Sequence, residues 1–258
     1  MSDTYDFYLK DGQTGRYDKN AVISLPRVTR IIGAILAKPY LIEWYYRQTR
    51  DSVAGMMDVY YHEFDDPHFT SEDLLEELTD AEDLDELLKQ NRMRQMDLRD
   101  ERRDEGIAAH TFLQHLAERQ LEAGEEAAYT LAERMLDNSV ADGFQIATAN
   151  WWLEEKPWVI ATEQVLYSLK HRYAGRCDLV RASGITDLKT RKLEAGMYES
   201  DDIQTAAYKV AWEEMGGTCN SRSVLVIRED GTYDEYPCVL PDEAWLHIRE
   251  LYRLLRGV

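Results

Sequence analysis

The sequence predicts an α/β fold built on a mixed central sheet flanked by helices, and three observations carry that reading. Three short apolar runs, WVIATEQVLYSL (158–169), YAGRCDLVR (173–181) and GITDLKTRK (184–192), are separated by polar turns and read as consecutive strands. Two further runs, SRSVLVIRED and GTYDEYPCVL, meet at an Asp-Gly pair, which signals a hairpin turn. Amphipathic stretches precede, interrupt and follow these strands, so the order is helix, three strands, helix, two strands, helix.

Each element has a local reason. Residues 1–24 carry the turn signal DGQTG and read as an irregular lead-in or a short hairpin. In 27–50 apolar residues recur at helical spacing, and Pro39 divides the run into two helices. The helical pattern continues through 51–62, and Ser71 before Leu74 and Leu75 marks another helix start within 70–103. Residues 106–121 have an apolar stripe, and 125–140 form a second helix. The helix over 201–217 has Asp201 as its expected N-cap and glycines at its end. The last helix starts near Pro241, whose fixed φ suits a first turn.

Length and composition narrow the function classes. A chain of 258 residues with 44% hydrophobic residues can bury a sizeable core. No apolar run approaches the roughly 18 residues a membrane helix needs, and the opening MSDTYDFYLKDG lacks the basic start and apolar centre of a secretory signal. Cys177, Cys219 and Cys238 form no CxxC pair and no even framework. The expectation is a cytoplasmic protein without membrane partners, disulfides or structural zinc.

The net charge of −19 speaks against a polyanion partner until its distribution is seen. Residues 63–86 hold 12 Asp or Glu and no Lys or Arg. Immediately afterwards Lys89, Arg92, Arg94, Arg99, Arg102 and Arg103 outnumber the acids around them. At 3.6 residues per turn Arg92, Arg99 and Arg103 share a helical face, which makes them candidates for gripping a phosphate backbone. Pairing within the helix with Asp97, Asp100 and Glu101 is the competing reading. Local charge decides binding, so the acidic total does not exclude nucleic acid.

The chemistry-bearing residues gather in the three-strand run. Asp187 and Lys189 lie two apart on one strand and share a face, with Leu188 directed into the core. A hairpin brings Asp178, on the strand before, beside them. Two carboxylates converging near a lysine suit a hard divalent cation. The lysine can orient an attacking water and offset charge developing on a phosphate. Each residue alone is more often turn chemistry or a solvated side chain; the combination is the signal. Gln204 and Tyr208, four apart, share a face of the following helix. His110 follows Gly106 on the helix before the strands, while His115 turns away from that face. Trp151 and Trp152 read as core in preference to base-stacking residues.

The order GIAAH, GRCDLV, ITDLKT and QTAAY resembles the RecB-type branch of the PD-(D/E)XK nuclease superfamily over roughly residues 106–228. The resemblance implies a restriction-endonuclease-like core at 106–258, preceded by an N-terminal helical region, 1–105, with its insertion at 63–103, the whole forming one domain. It implies His110, Asp178, Asp187 and the carbonyl of Leu188 as ligands of Mg²⁺ or Mn²⁺, and Lys189 as the catalytic lysine. Gln204 and Tyr208 correspond to the QxxxY pair that positions the site and the DNA. Glu163 matches an upstream acid used near the metal by many relatives. LPRVTRIIGAILAKPYLIEWYYR is also similar to the opening of phage RecB-like exonucleases and of the mitochondrial genome maintenance exonuclease.

These likenesses imply a DNA exonuclease acting from a free end in phage-type recombination, replication or repair. A recombination or single-strand-binding protein is a further expected partner. An endonuclease of the same superfamily and a non-catalytic DNA-binding scaffold are the alternatives. The iron–sulfur branch uses four cysteines, three of them clustered near the C-terminus. This chain has three in all, so no cluster is expected. No GxxxxGK[ST] segment is present, so no ATP is expected either.

Overall fold

A computed structural model describes residues 7–9, 23–36, 89 and 106–257. Arg92, Arg99 and Arg103, the acidic stretch 63–86, the rest of the insertion except Lys89, and the helices expected over 37–62 lie outside the described residues. Residues Met1–Ala37 group with Glu105–Val258, and Lys38–Asp104 form a second unit.

The lead-in forms a hairpin of β1 (Phe7–Leu9) and β2 (Ile23–Leu25), paired antiparallel. Helix α1 (Val28–Ile35) follows and buries Val28, Ile31 and Ile32, at the i, i+3, i+4 spacing of one face. They pack in a cluster with Tyr173, Tyr208, Trp245 and Tyr252. Helices α2 (106–123), α3 (Glu125–Leu136) and α4 (Gly143–Glu155) come next. The helix expected over 125–140 is shorter, and α4 was not anticipated. Asp142 starts it through a capping box: its side chain accepts from Gln145 N, and the Gln145 side chain accepts from Asp142 N.

The central sheet has five strands in the order β3 (Val159–Ser168), β4 (Tyr173–Arg181), β5 (Gly184–Arg191), β6 (Ser221–Arg228), β7 (Tyr233–Pro237). It is mixed. β5 and β6 are parallel, with α5 (Glu199–Glu214) crossing between them, and the other neighbours are antiparallel. Gly231, with φ 84°, makes the turn of the β6–β7 hairpin. Helix α6 (Asp242–Arg256) closes the described chain, with Pro241 as its N-cap. Asp201 lies inside α5; the N-cap is Tyr198, and the Asp201 carboxylate accepts a hydrogen bond from its backbone N–H at 2.9 Å.

Among the described residues the architecture is thus six helices and a five-stranded open sheet, an α/β fold. One cluster joins α2 and α4 to Leu179, Leu188 and Leu225 of the sheet, with Trp151 and Trp152 fully buried as core. The other joins α1, α5 and α6 to Leu166, Cys177 and Ile185. Helices therefore cover both faces. No described helix is long and apolar enough to cross a membrane.

Candidate metal centre

The site arises where the sheet opens. β4 pairs with β5 only at Leu179↔Thr186, Val180↔Ile185 and Arg181↔Gly184. β4 stays paired with β3 over its length, and β5 with β6 over residues 184–191. Asp178 and Asp187 sit just where β4 and β5 part company. An opened ladder leaves backbone donors without partners, and a side chain takes one over: Asp178 Oδ2 accepts the Leu188 N–H at 2.7 Å. N–H and C=O of one strand residue leave the same edge, so the Leu188 carbonyl belongs to the opened edge too.

Through this gap groups from both faces of the sheet converge. From α2, His110 Nδ1 lies 3.2 Å from Asp178 Oδ1. The register of α2 is held by Gln120, whose amide accepts from Val159 N at 2.8 Å and donates to the Pro157 carbonyl at 2.9 Å. From α5, Gln204 Nε2 donates to Asp187 Oδ1 at 3.1 Å, and Gln204 Oε1 accepts from Lys189 Nζ at 3.4 Å. Gln204 is hydrogen-bonded to Tyr208 at 2.8 Å. Tyr208 needs room, and Gly175 supplies it: a Cβ at 175 would stand 2.5 Å from the Tyr208 ring. Lys189 and Asp187 form a direct ion pair.

Glu163 reaches the same place from β3. It lies between the Thr162↔Leu179 and Gln164↔Cys177 pairs, opposite Asp178, and has φ 49°, in the left-handed region. One ligand atom each from His110, Glu163 and Asp178 lie within 4.8 Å of one another. Asp187 stands outside that trio, deeper, with its carboxylate engaged by Lys189 and Gln204.

The charges are unevenly matched. Burial alone would push the Asp178 carboxyl up, but His110, Lys189 and the Leu188 N–H outweigh it and hold Asp178 below its ordinary value. Burial pushes Asp187 up, and neighbouring Asp178 adds to this against the pull of Lys189. Burial works against the Lys189 ammonium, yet Asp187 and Asp178 raise its pKa. His110 is likewise raised: burial opposes its charge, and the Asp178 carboxylate more than compensates. Glu163 is raised by burial and by Asp178, against Arg176. Tyr208 is held well above its usual value by burial and stays neutral.

Carboxylates this close cannot all ionise freely without added positive charge. One imidazole nitrogen and two carboxylates in a half-buried cleft are a donor set that a divalent cation fits, and the cation would replace the missing positive charge. The residues singled out in the sequence are accordingly distributed in two groups. His110, Asp178 and Glu163 form the trio, and Asp187, Lys189, Gln204 and Tyr208 form a hydrogen-bonded chain behind it. Arg176 was missed. It lies two residues before Asp178 on β4, and its Nε is 2.8 Å from Glu163 Oε2. The period of two along a strand was the available signal.

No protein-family model and no curated protein matches the chain. Among solved structures it is similar to SSO0001, at 13% identity and a TM-score of 0.32, over 58% of this chain and 75% of that one. A likeness at that score bears on neither fold family nor activity.

Proposed function

We propose that this chain is a metal-dependent DNA exonuclease of the RecB-like kind, built on a restriction-endonuclease-like core. The observation that carries the reading is the convergence of Asp178, Asp187 and Lys189 at the opening between β4 and β5, with His110 and Glu163 beside them. His110, Asp178 and Glu163 would hold Mg²⁺ or Mn²⁺, with Asp187 and the Leu188 carbonyl adjoining. The cation supplies Lewis acidity and an acidified water when bound.

The chain's own side chains do the rest. The Lys189 ammonium, tethered by Asp187 and Gln204, is set to orient a water at a phosphorus centre and to offset charge on the phosphate oxygens. Gln204 bonds to Asp187, Lys189 and Tyr208 together, so it fixes the lysine's direction. Tyr208, neutral and buried, anchors Gln204. A non-catalytic DNA scaffold would have no use for a buried lysine aimed between two acids, which favours the enzyme.

Digestion of end-labelled DNA, linear and closed circular, single- and double-stranded, with Mg²⁺ or Mn²⁺ tests the reading. Linear DNA should be degraded and the circles spared. Rapid cutting of circles would replace the exonuclease by an endonuclease, and no cutting of any form would overturn the nuclease reading.

A further inference from the structure

At the mouth of the trio one cation is left with its donors in solvent. Arg176, on β4, has a side chain 63% exposed, whereas Glu163 beside it is 19% exposed. Only the Nε of Arg176 is engaged, by Glu163; among the described residues its two Nη groups have no hydrogen-bond partner. As a fold-stabilising feature this pair makes little sense. An ion pair with an exposed arginine contributes little. It is formed here by a glutamate in the left-handed region, a conformation that costs energy in a non-glycine residue and gathers at functional sites. The same glutamate is pressed against Asp178, within the group that could hold a metal.

The charge count gives the pair a purpose. Glu163, Asp178 and Asp187 bring three negative charges. A divalent cation and the Lys189 ammonium bring three positive ones. The loaded site would then be neutral, with no net attraction for a phosphodiester. Arg176 adds a positive charge in contact with the trio, and a guanidinium presents a planar fork matched to phosphate oxygens.

Resting on the nuclease reading of this site, we infer that Arg176 is a substrate-binding residue: its free Nη groups take a phosphate of the nucleic acid at the cleft mouth, while its Nε stays paired with Glu163. The ligand class is a phosphodiester backbone, recognised by charge and geometry and not by base. The exposed fork accepts it without rearrangement of β4.

The test uses the full chain and its Arg176→Gln and Arg176→Lys variants, with a labelled linear single-stranded oligonucleotide and Ca²⁺ to prevent cleavage. Arg176→Gln should weaken DNA binding about tenfold or more at low salt, the scale of losing a hydrogen bond to a charged group. It should also flatten the log-affinity against log-salt slope by roughly 0.7, the share of one phosphate contact on a single strand. Arg176→Lys should keep the parent's slope. Mn²⁺ affinity, measured by calorimetry without DNA, should be unchanged or tighter in Arg176→Gln, since Glu163 loses a competitor.

Affinity and slope equal to the parent in Arg176→Gln would overturn the inference. So would a loss of Mn²⁺ affinity large enough to account for the weaker DNA binding, because Arg176 would then act only by propping Glu163. If the parent itself binds no DNA, the nuclease reading fails instead, and inorganic phosphate with Mg²⁺ becomes the probe. Phosphate bound by the parent and lost in Arg176→Gln would sustain the Arg176 site; equal binding, or none to the parent, would end it.

Discussion

Helix α5 lies against two buried charge clusters only a few residues apart, and they are built on opposite terms. Asp202 and Arg222 are both almost inaccessible, and their polar atoms are thoroughly matched. Asp202 Oδ1 meets Arg222 Nη1 at 2.8 Å, and Oδ2 accepts the Val239 and Leu240 N–H groups at 2.8 and 3.0 Å. Arg222 also donates to the Asp202 carbonyl, to Thr205 and to the Leu240 carbonyl. Two and six residues on, Gln204 and Tyr208 face the Asp178–Asp187–Lys189 cluster, where carboxylates outnumber their cations and one carboxyl is pushed up. A matched cluster holds structure. A mismatched one is a site, and the fold stabilises the second by means of the first.

The largest effect should come from the matched cluster. Removing one partner strands the other charge in the interior, at a cost of about 3–5 kcal/mol. Asp202→Ala should therefore lower the unfolding free energy by that amount, read from a urea titration. Metal affinity of the fraction still folded should stay near the parent's. A loss below about 1 kcal/mol would mean the 238–240 segment detaches without consequence, and the contrast between the clusters would fail.

The mismatched cluster should behave the other way. Lys189→Ala should cost less stability than Asp202→Ala, because Asp187, already pushed up, can take a proton in place of its lost partner, but it should cleave DNA at least about a hundredfold more slowly, the scale of losing one electrostatic stabiliser. Calorimetry should still show Mn²⁺ binding, because His110, Asp178 and Glu163 remain. An unchanged cleavage rate would reduce the lysine to a structural partner of Asp187.

What the sequence disclosed follows the same division. The strands of the three-strand run were legible because short apolar runs are separated by polar turns. The face-sharing of Asp187 with Lys189, and of Gln204 with Tyr208, follows from periodicity alone. Helix α4 escaped because Ala147, Thr148, Ala149, Trp151 and Trp152 bury nearly all round it, leaving no stripe to detect. Its capping box, Asp142 with Gln145, was the readable signal. The separation of Asp187 from the His110–Glu163–Asp178 trio was not readable, since it depends on where β4 leaves β5. Nor was the left-handed turn of Glu163, which no residue type at that position announces.

The smallest effect concerns pH, and it bears on whether Asp187 is a mismatched charge at all. Its ordinary pKa near 4 is pushed up to about 7 by burial and by Asp178. The folded, metal-free chain then holds a proton between those values that the unfolded chain has released. Stability falls with pH wherever the folded state binds more protons. With a chelator present, the stability that Asp187 contributes should be complete below about pH 4 and lost as pH rises to about 7. The share of Asp187 in the slope should not exceed about 1.4 kcal/mol per pH unit. Asp178, whose pKa is lowered, contributes in the opposite sense and only below its ordinary value, whereas Glu163, also raised by burial, adds a fall of the same sign. Asp187→Asn should make the profile shallower between about pH 4 and about 7, because its amide carries no proton to lose and only the share of Glu163 remains. Saturating Mg²⁺ should flatten the parent's profile too, since a bound cation favours the ionised carboxylate. A parent profile already flat under chelator would show that Lys189 alone neutralises Asp187, and the two clusters on α5 would then be alike.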